Sequence, residues 1–398
     1  MRQNPASLAG ICAVARSKAL RKPSTAIFVH GPELDKYPYP LECPFKSHRA
    51  GRTRSILAGM GLLKRPECIE EAPSPAEKSD ILSFHTSRYL DVLRRASDGQ
   101  LELEGVQMGL GTPDTPIFHG MYEYASLACG ATLLGARRIA RREAHVAFNP
   151  SGGYHHAGPQ KAAGFCYIND VAVACNELAR TFRRVLFLDL DAHHGDGVQN
   201  AFYHRSDVMT ISLHESGRTL FPGTGFEHEV GEGEGRGYCV NVPLPAGTYD
   251  EAFLMAFDAV VMPLAGAYEP EVIVLELGLD GLAGDPLAHL TLTNNAYAYA
   301  VERIMRLDRP ILATGGGGYH PENTARGWAL LWTVLSGQDH DGTLQAGLGG
   351  VMLESTDWQG GLRDRAQVPD ESQRRIVDEQ IEQSIKLIRC TVFPIHRL

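Results

Sequence analysis

The stretch VLFLDLDAHHGDGVQ constrains the fold of this chain most strongly. It runs from Val185 to Gln199 and begins with an almost wholly apolar segment. Such a short apolar run is typical of a strand buried on both faces, as in a parallel sheet. Asp189, Asp191 and His193 follow at intervals of two, so their side chains point to the same side of an extended chain. The stretch alone allows two interpretations, a divalent metal site or a polar loop that caps the next helix.

Further apolar segments alternate with segments of helical periodicity along the chain. We predict strands at 26–30, 145–149, 185–191, 208–214, 272–278 and 310–314. We predict helices near 49–63, 83–95, 121–142, 170–181, 250–268, 293–307, 323–335 and 371–388. This alternation predicts one large α/β domain, with a mostly parallel sheet covered by helices on both faces. Polar residues after these strands are the site candidates, because open α/β sheets bind ligands at the carboxyl ends of their strands.

The composition excludes several classes of protein. Hydrophobic residues make up 43% of the chain, and 38 basic against 47 acidic residues give a net charge of -9. This balance argues against nucleic-acid and anionic-membrane binding but tolerates a cationic substrate. The longest apolar stretch, 252–268, carries Asp258, so we expect no membrane span. The oligomeric state stays open.

The cysteines and the chain ends indicate location and domain boundaries. Eight cysteines without a CxxC pair predict free thiols in a reducing compartment, and we expect the cytoplasm. Residues 1–24 are basic and contain no acid, which predicts a disordered tail, with a targeting segment as the alternative. We expect 25–340 to form the main domain, and 341–398 to form a loop and a helix docked on it.

Two adjacent histidines follow the predicted strand 145–149. The segment SGGYHH ends in His155 and His156, a pair suited to acid–base chemistry, although two core or surface histidines are an alternative. Asp189 and Asp196 offer carboxylate partners from a neighbouring strand. A carboxylate on one ring nitrogen would fix the tautomer of each imidazole and orient it.

Two later strands also end in polar residues. VIVLELGLDGLAGD places Asp280 beyond a buried strand as a candidate third metal ligand, and Asp285 as a turn cap. PILATGGGGYH carries Tyr319 after four glycines, whose backbone permits close approach and lets the tyrosine reorient. A phenol there could donate a hydrogen bond to a developing oxyanion; a turn with a packing tyrosine is the alternative.

The order of these motifs resembles that of the zinc-dependent histone deacetylases and their bacterial relatives. The blocks that carry the resemblance are CPFKSHRAGR, FHTSRYLDVL, SGGYHHAGPQKAAGFCYIND, VLFLDLDAHHGDGVQNAFY, VMTISLHESGRTLFPGTG, LELGLDGLAGDPL and ATGGGGYHPENTARGWALLW. They span roughly residues 25 to 340, and such an ordered set is highly specific. SGGYHH is similar to class I enzymes, whereas GTPDTP is closer to bacterial members.

The resemblance implies a metal centre and its catalytic groups. It implies zinc, with ferrous iron as the alternative, on Asp191, His193 and Asp280. It further implies that His156, paired with Asp196, is the general base, that His155, paired with Asp189, is its electrostatic or proton-donating partner, and that Tyr319 stabilises the oxyanion. A structural potassium ion is implied at Asp189, Asp191, His193, Ser212 and Leu213. The implied substrate contacts are Gly164, Phe165 and Phe221 in an acyl-lysine tunnel, with Asp114 and Leu287 at its mouth.

The implied reaction is hydrolysis of an N-acetyl amide, with acetyl-lysine in proteins or peptides as the favoured substrate. Relatives selective for acetylpolyamines resemble one another in carrying Glu where this chain has Leu287. The alternatives are deacetylation of acetylpolyamines or other small amides, a two-metal ureohydrolase of the arginase type, and a non-catalytic acetyl-lysine binding module. The arginase type needs a further acid two residues before Asp280, where this chain has Gly278, so we expect one catalytic metal.

Two residues depart from the family pattern beside the third ligand. Glu276 stands where the family usually has Gln, and Leu279 stands where it usually has Ala. Glu276 adds a buried acid behind the metal, which is expected either to alter metal affinity or to pair with a nearby cation.

Overall fold

The computed structural model describes residues 25–338 and 361–398. The strands are β1 (Ala26–Val29), β2 (Cys68–Glu71), β3 (Val146–Asn149), β4 (Val185–Asp189), β5 (Val208–Glu215), β6 (Cys239–Leu244), β7 (Val272–Glu276) and β8 (Ile311–Thr314). They form one sheet in the order β2-β1-β3-β8-β7-β4-β5-β6, and all neighbours are parallel. The predicted α/β class with a parallel sheet is therefore confirmed. The predicted tail at 1–24 and the segment 339–360 lie outside the described residues.

Helices cover both faces of the sheet. They are α1 (Arg49–Gly59), α2 (Lys78–Ile81), α3 (Ser87–Ser97), α4 (Leu103–Gln107), α5 (Met121–Ala140), α6 (Asp170–Ala179), α7 (Asp196–Phe202), α8 (Asp250–Ala256), α9 (Met262–Tyr268), α10 (Asn294–Met305), α11 (Pro321–Leu335) and α12 (Glu371–Thr391). In β4, Leu186 and Leu188 pack into one apolar cluster, and Val185 and Phe187 into the cluster on the opposite face. This two-sided burial explains why the strand reads as a continuous apolar run.

The central strand β4 ends two residues earlier than predicted. The Leu190 N–H still donates to the Glu276 carbonyl at 3.1 Å, but the Asp191 N–H turns to Asp189 Oδ1, also at 3.1 Å. A side-chain acceptor thus replaces the ladder and ends the strand. Only Asp189 belongs to β4, so Asp191 and His193 are brought to the site by a loop and not by strand alternation.

The two edge strands were missed by sequence reasoning. At one edge lies β2, whose CIEE sequence carries two acids and leaves Ile69 47% exposed. At the other edge lies β6, whose CVNVPL sequence contains a proline. Both are short strands that lack a clear apolar pattern, and proline is tolerated at a sheet edge because no partner needs its N–H.

The C-terminal helix α12 packs against β6 and α8. Its buried face consists of Val377, Ile381, Ile385 and Ile388, at the spacing predicted from the sequence. At its polar margin the Tyr249 hydroxyl donates to Asp378 at 2.7 Å. The helix therefore extends the core of the main domain on the side away from β2.

One helical stretch is long and apolar enough to cross a membrane by length and composition. It runs from Asp250 to Tyr268 through α8, a π-helical turn and α9, with a mean hydropathy of 1.3. Half of its most apolar window is buried inside the domain, and Asp258 within it pairs with Arg303 at 3.0 Å. These contacts are those of a core helix.

Candidate active site

The candidate residues gather at the carboxyl ends of four adjacent strands. His155 and His156 follow β3, Asp191 and His193 follow β4, Asp280 follows β7, and Tyr319 follows β8. In the sheet these strands lie side by side in the order β3-β8-β7-β4. The parallel topology therefore brings together groups that are far apart in the sequence, as expected for an open α/β sheet.

Asp191, His193 and Asp280 form a buried cluster. One ligand atom from each lies within 4.8 Å of the others. The Nδ1 atom of His193 lies 2.7 Å from Asp280 Oδ2 and 3.2 Å from Asp191 Oδ1. The other Asp280 oxygen accepts the Ala192 N–H at 2.8 Å, which fixes the orientation of this carboxylate. Two carboxylates and one imidazole are a donor set for zinc or ferrous iron.

The charges of this cluster favour a bound cation. Burial raises the pKa of the Asp280 carboxyl to about 7, and the neighbouring Asp191 acts in the same direction. Burial by itself lowers the pKa of His193, but Asp280 and Asp191 outweigh it and raise that pKa to about 10. Two buried carboxylates thus compete for one ring nitrogen, and a divalent metal would supply the missing positive charge. The residues present therefore fit a metal ion.

The two adjacent histidines are held by different acids. Nδ1 of His155 lies 2.9 Å from Asp189 Oδ2, and Nδ1 of His156 lies 2.8 Å from Asp196 Oδ1. Burial and the neighbouring His155 lower the pKa of His156 to about 4. Burial also acts to lower the pKa of His155, but Asp189 and Asp191 raise it to about 9. The two environments therefore shift the pKa values of the adjacent histidines in opposite directions.

Glu276 is a further buried acid behind these groups. Its Oε1 lies 3.0 Å from His155 Nδ1, but the ring N–H is directed at Asp189, and neither Glu276 oxygen accepts a hydrogen bond within the described chain. Burial, followed by Asp189 and Asp191, raises the pKa of Glu276 well above its usual value. Together with His155 and Asp191 it forms a second cluster of ligand atoms within 4.8 Å of one another.

The glycine run before Tyr319 is fixed by contacts on several sides. Arg49, which is buried, donates to the carbonyls of Gly316 at 2.9 Å and Gly318 at 2.6 Å. The Gly317 N–H donates to Asp191 Oδ2 at 2.6 Å, and a Cβ at Gly317 would overlap the Asp280 carboxylate. The run therefore needs glycine to pass this close to two acids. Beyond it, the Tyr319 ring lies 6.1 Å from that of His193.

Two of the predicted tunnel residues lie beside His156, and the third lies beside Tyr319. The Phe221 ring lies 5.0 Å from the His156 ring and is 43% exposed, while the Phe165 ring lies 5.6 Å from the Tyr319 ring. Gly164 has φ +52, and a Cβ there would overlap His156. The exposed Asp114 accepts the Phe165 N–H through its carbonyl at 2.8 Å, which ties this rim residue to the aromatic wall.

Asp285 caps a turn, as predicted, and it also connects Leu287 to the tyrosine. Its Oδ1 accepts the Leu287 N–H at 2.9 Å, and its Oδ2 accepts the Tyr319 N–H at 2.7 Å. A single carboxylate therefore holds the backbone of the half-buried Leu287 close to the backbone of Tyr319.

The residues predicted for potassium lie on two neighbouring strands. Asp189 of β4 and Ser212 of β5 are partners in register, and Leu213 follows in β5. The Ser212 hydroxyl also forms a 2.7 Å hydrogen bond with His214 Nδ1. Asp189 and Ser212 are both buried, so an ion held between them would lie inside the protein and not at its surface.

Three positioning residues were not identified as such from the sequence. They are Arg49, Asp170, whose carboxylate accepts the N–H groups of Gly153 and Tyr154, and Asp285 in its contact with Tyr319. Asp170 belongs to the GFCYIND block that carries the family resemblance, but the sequence does not show which backbone N–H groups its carboxylate binds. Their roles depend on contacts between distant segments, which periodicity does not reveal.

A cavity of about 640 Å³ lies at the amino ends of the central strands, opposite the candidate site. It is lined in part by Arg142, Arg183 and Arg309, which come shortly after the ends of α5, α6 and α10. Positive side chains there complement the partial negative charge of helix C-termini. The arginines thus have a structural explanation, and the cavity is separate from the histidine and carboxylate cluster.

Comparison with known proteins identifies the family. The model of the histone deacetylase domain matches residues 43–335, which include every candidate catalytic residue. The chain belongs to the histone deacetylase family. It is therefore a hydrolytic deacetylase of a family that depends on zinc, and the resemblance predicted from its motifs is confirmed.

Curated histone deacetylases and a bacterial relative align over most of the chain. Histone deacetylase RPD3 of Saccharomyces cerevisiae is 39% identical over 312 residues, which cover 78% of this chain and 71% of that protein. The acetoin utilization protein AcuC of Bacillus subtilis is 39% identical over 326 residues, which cover 79% of this chain and 83% of that protein.

Solved histone deacetylase homologues share the fold. The crystal structure of an HDAC homologue from Aquifex aeolicus superposes with a TM-score of 0.81 at 34% identity, covering 92% of this chain and all of that one. The crystal structure of an HDAC homologue complexed with SAHA gives the same values.

Proposed function

We propose that this deacetylase removes acetyl groups from lysine side chains of proteins or peptides, with zinc held by Asp191, His193 and Asp280. The observation that carries the proposal is the position of two separately paired histidines beside the Asp–His–Asp cluster. A single reaction centre is supported by ring distances of 5.9 Å between His156 and His193 and 6.1 Å between His193 and Tyr319.

Zinc is proposed in preference to ferrous iron because of the family, since the donor set suits both. When bound, the ion polarises the acyl oxygen and makes an attacking water more acidic. Three protein ligands leave coordination positions open for these two groups.

We also propose the structural potassium ion at Asp189 and Ser212, together with the backbone around Leu213, because these buried oxygens lie on adjacent strands.

The histidines divide the proton transfers between them. His156 is the proposed general base: its pKa is low, so Nε2 is free of a proton at neutral pH, and Asp196 holds the Nδ1 proton. His155 is the proposed proton donor to the leaving amine, since its raised pKa keeps it cationic. Neighbouring groups whose environments push their pKa values apart commonly take such acid and base roles.

Tyr319 is the proposed hydrogen-bond donor to the oxyanion. Burial, followed by Asp280 and Asp191, raises its pKa well above the usual value, so the phenol keeps its proton.

The lysine stem is proposed to be enclosed by Gly164, Phe165 and Phe221. The two rings provide apolar walls for methylene groups, and the glycine leaves room beside His156.

Leu287 favours acetyl-lysine over acetylpolyamines. An apolar side chain at the tunnel mouth gives no compensation for desolvating the second ammonium of a polyamine. The exposed Asp114 carboxylate can accept hydrogen bonds from the backbone of a peptide. Other small acyl amides remain the alternative substrate class.

We propose a cytoplasmic location, supported by the bacterial relative AcuC and by the free thiols of the seven described cysteines.

The test is to measure kcat/KM for a panel of acetyl-lysine peptides, N-acetylputrescine and N8-acetylspermidine with zinc-loaded protein. We expect the best peptide to exceed both polyamines clearly. Leu287→Glu should shift the ratio toward polyamines, whereas Leu103→Glu, the same change at a leucine that is 74% exposed, should not. A higher value for either polyamine than for every peptide would overturn the substrate assignment but not the deacetylase chemistry.

A further inference from the structure

Asp285 contacts two functional loops at once. Its two carboxylate oxygens accept hydrogen bonds from different chain segments, Oδ2 from the Tyr319 N–H at 2.7 Å and Oδ1 from the Leu287 N–H at 2.9 Å. Its own N–H donates to the Leu282 carbonyl at 3.1 Å, which anchors it in the loop after β7. The side chain therefore bridges the loop after β7 and the loop after β8.

The Tyr319 backbone needs such a restraint. Four glycines precede the tyrosine, and Gly316 and Gly318 adopt φ values of +148 and +125. Glycine populates many backbone conformations, so the run itself gives the phenol little fixed direction. Arg49 and Asp191 hold the glycines on the upstream side, and Asp285 is the acceptor at the tyrosine amide itself.

We propose that Asp285 is a positioning residue that fixes the oxyanion donor Tyr319 and the tunnel-mouth residue Leu287 in one rigid unit. The catalytic part of this inference rests on the proposed function, because Tyr319 must act on the reacting carbonyl. A carboxylate suits the task, since each oxygen can serve one of the two N–H groups, whereas an asparagine has a single acceptor oxygen. Displacing a catalytic group by about 1 Å can cost roughly 10²-fold in rate.

The kinetic test uses Asp285→Ala, Asp285→Asn and the matched control Asp370→Ala. Asp370 also caps a backbone N–H, that of Gln373, but at the start of α12. We expect Asp285→Ala to lower kcat about 10- to 100-fold with a smaller change in KM and an unchanged metal content. Asp285→Asn should fall between wild type and alanine, and Asp370→Ala should leave kcat unchanged.

A double-mutant cycle separates positioning from a general structural effect. In a Tyr319→Phe background, where no phenol remains to be positioned, Asp285→Ala should lower kcat less than about threefold. A loss as large as in the wild-type background would overturn the proposal, and so would a wild-type kcat in Asp285→Ala.

Hydrogen exchange tests the restraint independently of activity. Amide exchange of the segment 311–320, followed by mass spectrometry, should accelerate in Asp285→Ala and stay at the wild-type rate in Asp370→Ala. Unchanged protection in Asp285→Ala would overturn the proposal even if the enzyme is active. If wild-type protein turned over no acetyl amide, the proposed function would fail, and the exchange result would still decide whether Asp285 holds the loop.

Discussion

His155 Nε2 and His156 Nε2 lie 3.1 Å apart, although each ring is held at Nδ1 by a different carboxylate. Each carboxylate accepts the Nδ1 proton of its own histidine, so the two Nε2 atoms are the ones left to exchange protons in the proposed reaction. Their different surroundings shift the pKa values of these adjacent side chains in opposite directions, up to about 9 for His155 and down to about 4 for His156.

The two histidines should therefore differ on mutation. His156→Ala removes the proposed base that is needed for attack, so we expect kcat/KM to fall by roughly 10³ or more. His155→Ala removes the proton donor and should retain somewhat more activity. Steady-state kinetics with one acetyl-lysine peptide checks the order, and a less active His155→Ala would show that the roles are reversed.

The hydroxyl of Tyr319 should matter mainly in the transition state. Tyr319→Phe keeps the ring against Phe165 but removes the oxyanion donor, so kcat should fall roughly 10²–10³-fold. Metal content, measured by elemental analysis, should not change. Turnover close to that of wild type would reduce Tyr319 to a packing residue.

Glu276 should destabilise the native protein at neutral pH. Both of its oxygens are buried without a hydrogen bond to the described residues, and holding a charge there beside Asp189 and Asp191 costs at least about 1–3 kcal/mol, a cost that a neutral amide does not carry. Glu276→Gln should raise the free energy of unfolding by part of this amount and leave the metal content unchanged. Glu234→Gln, at an exposed position, is the control in guanidinium unfolding. A less stable Glu276→Gln would show that the carboxylate binds a cation.

Burial of His85 should make the fold sensitive to acid. Its Nε2 accepts the Asn169 N–H at 2.9 Å, and burial lowers the pKa of His85 to about 3. A folded pKa below the unfolded one stabilises the protein above about pH 6.5, and this contribution is lost as pH falls toward 3.

The expected loss from this histidine between pH 7.5 and 5.5 is about 1.4 kcal/mol. His85→Gln has no titrating group, so its unfolding free energy should fall by that much less than the wild-type value over the same interval. Guanidinium unfolding at both pH values measures the difference. Equal losses in the two proteins would mean that His85 has the same pKa in the folded and unfolded states.

The sequence was most informative where strands end in unusual residues. The apolar runs before Asp189, Glu276 and Thr314 predicted a parallel sheet. The polar residues after these runs predicted the site, because the carboxyl ends of parallel strands all lie on the same side of the sheet. Edge strands β2 and β6 escaped prediction because exposed or proline-containing strands lack a distinctive apolar pattern.

The supporting contacts of the site were beyond sequence reasoning. Arg49 reaches carbonyls more than 260 positions away in the chain, and Asp285 binds an amide 34 positions away. Such pairs leave no periodic signal in a single sequence, since only the folded topology brings the segments together. The convergence of Asp191 and His193 was predicted, but through strand alternation and not through the loop that produces it.

The most direct measurement is acetate release from an acetyl-lysine peptide by metal-free protein as zinc is added stepwise. If Asp191, His193 and Asp280 form the single catalytic metal site, the initial rate should rise linearly and reach its plateau at about one zinc per chain, and Asp280→Ala should stay inactive throughout. A rate independent of zinc would contradict the account. So would a rise that continues to two equivalents, because the cluster of His155, Asp191 and Glu276 would then be a second catalytic metal site.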